Sequence, residues 1–116
     1  MENVLDRTTA LAQMDGDAHL VAEVAGLLLQ DCPKQLSAIR AAVANDDSKL
    51  VERAAHKLKG SLGIFGAKEG FEAALCLETM AGGGDLTRAE ETVGLLEEAI
   101  QRLTPVLEGI AGQAVR

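Results

Sequence analysis

The sequence predicts an all-α fold: an up-and-down four-helix bundle with a short additional N-terminal helix, forming one domain over residues 1–116. Three observations point there. Hydrophobic residues make up 47% of the chain but aromatics only 2%, so the core is built from Leu, Val, Ile and Ala around Phe65 and Phe71, a palette that suits helices better than strands. No window alternates apolar and polar residues among β-branched types, and apolar residues instead recur at three- and four-residue steps between turn signals. A chain of 116 residues has the length of a single domain and can bury about two-thirds of its unfolded surface.

A first short helix is expected from Val4 to about Gln13, broken by Asp15-Gly16-Asp17, with Asp17 as the N-cap of the next helix. There Leu20, Val24, Leu27 and Leu28 recur at helical spacing, and the pattern resumes as Leu36, Ile39 and Val43 beyond Cys32-Pro33. Pro33 either kinks one long helix or opens a second at its first turn. Asn45-Asp46-Asp47-Ser48 forms a turn ending in a cap and launches a helix that fades near Gly63 to Gly66. From Ala67 a further helix carries Phe71, Ala74, Leu75 and Ala81 on one side, and Gly82-Gly83-Gly84-Asp85 stops it. Thr87 and Glu90 stand at capping-box spacing before the stripe Val93, Leu96, Ile100, Leu103, Leu107 and Ile110. Pro105 falls inside that stripe and should bend it or split off a last turn.

The formal net charge of −7 argues against nucleic acid or an anionic membrane as the main partner, because both reward clustered Lys and Arg; an acidic surface is also an ordinary solubility device. Cys32 and Cys76 fall among helical apolar positions, form no C-x-x-C pair and read as reduced thiols in a core. No signal peptide opens the sequence and no apolar run approaches the ~20 residues that span a bilayer. A cytoplasmic location is expected, and one exposed histidine face without a second long apolar stripe favours a monomer.

The run Ala55-His56-Lys57-Leu58-Lys59-Gly60-Ser61 carries the chemistry. With Leu50, Val51, Ala54, Ala55, Leu58, Leu62 and Phe65 as the buried stripe and about 100° per residue, His56 points roughly 160° from the stripe's centre and faces water. Lys49, Glu52, Lys59, Gly60 and Gly63 share that face, and the two glycines leave the imidazole on a nearly bare backbone surface. A neutral imidazole is a nitrogen nucleophile near neutral pH. Lys59, one turn on, can reach anionic oxygens placed on the ring, and Gly60 clears space for another protein to approach.

These residues, with Gly66-Ala67 and Leu77-Glu78, resemble the histidine phosphotransfer (HPt) domains of two-component phosphorelays, and the resemblance extends over essentially the whole chain. It implies a bundle that accepts a phosphoryl group on one histidine from a receiver-domain aspartate and passes it to another receiver. His56 is then the phosphorylated residue, attacking in line through Nε2, Lys59 the lysine beside the phosphoryl group and Gly60 the clearance for the receiver. Lys49, Glu52, Lys57 and Gly63 are the expected docking contacts. Lys57 stands where the family often has a small polar residue such as threonine, which bears on partner preference more than on chemistry. The implied partners are response-regulator receiver domains, with a hybrid sensor histidine kinase in cis as a further candidate, since the motif is most similar to kinase-terminal domains of this kind.

The absence of a G-x-x-x-x-G-K-[ST] loop, of a kinase glycine motif and of acidic residues at metal-ligand spacing agrees with what the resemblance implies, a carrier rather than an enzyme, with no cofactor of its own expected and Mg²⁺ expected from the receiver. Glu78, on the apolar side of its helix, is expected to be partly buried in an intrabundle hydrogen bond or ion pair. His19 lacks a matching lysine and glycine, and Met14 and Met80 read as gap fillers. Gly82 to Gly84 follow a helix and show no phosphate-cradling pattern. Three other readings stand beside the carrier: the phosphate-accepting domain of a chemotaxis-type kinase, a helical adaptor that docks receivers without carrying phosphate, and a metal-binding or enzymatic bundle. The last of these lacks the convergent His, Glu and Asp pairs that it needs.

Overall fold

A computed structural model describes residues 5–112. They form five helices and no strand: α1 (Arg7–Gln13), α2 (Ala18–Ala44), α3 (Ser48–Ile64), α4 (Lys68–Gly82) and α5 (Ala89–Ala111). Helix α2 packs on α3 and α5, and α4 packs on the same two helices from the other side, while α1 touches only α2 and α3. The core they enclose is aliphatic, with Ile39, Val51, Leu58, Leu62, Leu77, Leu96, Leu103 and Leu107 closed from solvent around Phe65.

Local chemistry sets the helix starts. Asp6, Asp17 and Asp47 each sit in non-helical backbone and accept a hydrogen bond from an otherwise orphaned N–H of the first turn, which is what an N-cap contributes. Asp15 and Gly16 adopt φ of 53° and 78°, the left-handed pair that reverses the chain between α1 and α2. The expected first helix begins at Arg7 rather than Val4, which lies outside the described residues. Helix α2 runs unbroken through Pro33 and α5 through Pro105, so neither proline splits its helix. Each costs its helix one backbone bond, because proline has no N–H to offer the carbonyl four residues earlier.

Thr87 does not cap α5. Asp85 accepts both the backbone N–H and the hydroxyl of Thr87, at 3.0 and 2.6 Å, so this hydroxyl closes a local turn and α5 starts later, after Arg88, without a side-chain cap. Several apolar assignments also shift. Leu20, Leu27, Leu50 and Leu75 are exposed, as is Cys76, whereas Cys32 is buried. The buried face of α4 is Gly70, Ala73, Ala74, Leu77 and Ala81; its small residues let α4 lie close to α3, and Leu75 and Cys76 fall on the outer side.

The junction of α3 and α4 is tied to α1. Gly66 has φ +61°, and a Cβ there would stand 2.9 Å from Cβ of Asp6. The N–H of Asp6 donates to the carbonyl of Phe65 at 2.7 Å, so one residue both caps α1 and fastens it to the end of α3. No helix among the described residues is long and apolar enough to cross a membrane.

Candidate functional site

The site lies on the flank of α3 that adjoins α4. Val51, Ala55, Leu58 and Leu62 are the residues α3 buries, and the stripe of these four, without Leu50, Ala54 and the C-cap Phe65, is rotated so that His56 sits about 130° from its centre rather than opposite. That rotation brings the imidazole within reach of α4. The His56 side chain is 68% exposed, and its Nδ1 lies 2.6 Å from Oε2 of Glu78. The other oxygen of Glu78, Oε1, is 2.7 Å from Nζ of Lys59. One carboxylate on α4 therefore holds the imidazole and the ammonium that α3 presents one turn apart.

Glu78 and Lys59 are each only about a fifth exposed, and Oε1 itself is shut off from water, so the ammonium compensates an oxygen that solvent does not reach. Hydrogen bonds from Lys59 first, and then from His56, hold the Glu78 carboxyl below its usual range against the opposing effect of burial. Glu78 is ionised at neutral pH and can only accept. In the neutral ring the proton accordingly resides on Nδ1, and Nε2 keeps its lone pair, directed away from Glu78.

Gly60 is exposed, and a Cβ built on it would meet nothing within 4 Å. Gly63 differs: it is half-buried, and the Phe71 ring lies 3.4 Å from the place its Cβ would occupy. Gly63 thus admits the ring of α4 and is not part of the bare surface that the sequence predicts. Lys49 and Glu52 line an open groove with Arg53, His56 and Glu78, while Lys57 is exposed beside them. Glu52 leans across to α4, with Oε2 3.0 Å from where a Cβ on Gly82 would stand. His19 lies apart on α2, 3.4 Å from Glu23.

Glu78 is the functional candidate absent from the predicted site. Its partial burial was legible, but its partners belong to another helix and no spacing within α4 names them. Among the described residues no three His, Cys, Asp or Glu side chains converge as a metal site would require.

The family model for the Hpt domain matches residues 23–104. No curated protein matches the chain. Among solved structures, the fold is similar to the crystal structure of histidine-containing phosphotransfer protein B (HptB) from Pseudomonas aeruginosa PAO1, with a TM-score of 0.88 at 18% identity, covering 97% of this chain and 98% of that one. The matched segment takes in most of α2 and α5 and the whole of α3 and α4, including His56, Lys59 and Glu78, and the chain belongs to the Hpt domain family.

Proposed function

We propose that this chain is a phosphocarrier that takes a phosphoryl group onto Nε2 of His56 from a receiver-domain phosphoaspartate and relays it to another receiver. The observation that carries the reading is the shared carboxylate of Glu78, which orders a nucleophilic imidazole and a lysine on an exposed helix face next to the open backbone of Gly60. In transfer, the Nε2 lone pair forms the N–P bond as the P–O bond of the acyl phosphate breaks, and the departing carboxylate stays on the receiver. The proton remains on Nδ1, and Glu78 offsets the positive charge that develops on the ring. Lys59 is near enough to balance charge on the phosphoryl oxygens, and Gly60 leaves clearance for the receiver's surface.

This role requires no ATP site in the chain; the receiver brings its own Mg²⁺ and the activated phosphate. Lys49, Glu52 and Lys57 are the docking contacts around His56 in this reading. The remaining parts of the proposal are a single-domain, monomeric four-helix bundle capped at one end by α1, acting in the cytoplasm. The test is incubation with a receiver carrying labelled phosphate. Acid-labile, base-stable label should appear on this chain and be absent from His56→Gln, and label that persists in that variant overturns the assignment.

A further inference from the structure

Helix α3 is a basic element on an acidic protein. It carries Lys49, Arg53, Lys57 and Lys59 against Glu52 alone, in a chain with a formal charge of −7. Lys59 is engaged by Glu78. Lys49, Arg53 and Lys57 follow one another at four-residue steps, so they form one exposed row about 12 Å long. Among the described residues none of the three has a carboxylate within ion-pair distance. Glu52, the one acid on α3, lines the same groove as Lys49 and Arg53 but reaches across to Gly82. The row flanks His56 on the same side as Gly60.

We infer that this row is a selectivity surface that recognises an acidic strip beside the aspartate pocket of the receiver, favouring receivers that have one over receivers that do not. The inference rests on the phosphocarrier reading and deepens it by naming the chemistry of the partner. Three unpaired cations in one row give a local attractive field within a repulsive surrounding charge, which raises the encounter rate with a compact acidic patch placed on α3 and nowhere else. A row of this length matches one patch on a docked protein. A long polyanion or a lipid surface would also meet the acid excess of the other helices, so a protein face is the better fit.

The test uses purified receivers charged with a small phosphodonor, chosen in two groups with acidic or basic residues around the aspartate pocket. Wild-type protein should take phosphate from the acidic group at a second-order rate at least about tenfold higher, and raising salt from about 0.05 to 0.5 M should erase most of that advantage. The variant Lys49→Gln/Arg53→Gln/Lys57→Gln should lose the advantage and most of the salt dependence while keeping the wild-type circular dichroism and thermal unfolding. Equal rates from both groups, or a variant that still prefers the acidic group, overturn the selectivity surface while leaving the carrier intact. Labelled duplex DNA or phosphatidylserine vesicles that bind wild type but not the variant, with receiver preference unchanged, assign the row to those ligands and also overturn it. Failure of label to reach this chain from any charged receiver overturns the carrier reading and the inference with it.

Discussion

Glu78 on α4 accepts a 2.6 Å hydrogen bond from Nδ1 of His56 on α3, so the nucleophile's tautomer is set by a residue 22 positions away. Removing the charge while keeping the shape, in Glu78→Gln, leaves an amide that can accept from or donate to the ring. The Nδ1–H tautomer should lose its preference, and phosphoryl uptake should slow a few-fold. Single-turnover transfer and nitrogen NMR of the His56 ring read the two effects, and an unchanged tautomer ratio refutes the positioning role.

How far the site was legible follows from the same pair. The caps Asp17 and Asp47 are readable because a cap bonds to its own chain two or three residues on. The exposure of His56 is readable from the period of one helix. Its contact with Glu78 is not, because the lateral placement of α4 depends on which small residues α4 buries. Leu50 and Leu75 look like core by hydropathy and are exposed, whereas Ala73 and Gly70, too small to mark a stripe, are buried and let the helices approach. Thr87 stands at capping spacing yet does not cap, for a local reason: Asp85 accepts its N–H and hydroxyl, a choice that spacing alone does not decide.

Gly60→Gln separates clearance from stability. Its Cβ would enter open space, and glutamine in mid-helix gains up to about 1 kcal/mol of helix propensity over glycine. Thermal unfolding should therefore shift upward or stay unchanged, while transfer from a receiver falls because the glutamine side chain stands where the partner must land. Transfer at the wild-type rate in a folded variant removes Gly60 from the docking surface.

Gly66→Ala tests the tie between α1 and the end of α3. The left-handed backbone costs a non-glycine residue about 1–2 kcal/mol, and the new Cβ meets Asp6 at 2.9 Å, so α1 must also move. Urea unfolding should show a loss of about that size or somewhat more. Uptake of phosphate below the unfolding transition should change little, since α1 does not touch α4 and the His56–Glu78 pair lies elsewhere.

The two thiols should differ in reactivity. Burial, with a smaller contribution from the Asp31 charge, pushes the Cys32 thiol up to about 11, and only the thiolate reacts. Cys76 is exposed. Native protein at neutral pH should bind one equivalent of an alkylating reagent, at Cys76, and take a second only on denaturation. Rapid labelling of Cys32 in the native state would show that the α2–α5 packing over it opens readily.

The acid limit of the site follows from the sign of the Glu78 shift. Its folded carboxyl lies below its ordinary value of 4.5, so the unfolded chain binds the proton more readily. The stabilisation from its bonds to Lys59 and His56 is then fully present above about pH 4.5 and is lost as pH falls through the lowered folded value. The difference in unfolding free energy between wild type and Glu78→Gln should be constant near neutrality and shrink as pH falls below 4.5. Asp85 is likewise held low by its bonds from Thr87, but that contribution is common to both proteins and cancels in the difference. A gap that stays constant down to low pH would mean that the carboxylate's charge is not what secures it to Lys59, and that Glu78 holds the site by shape alone.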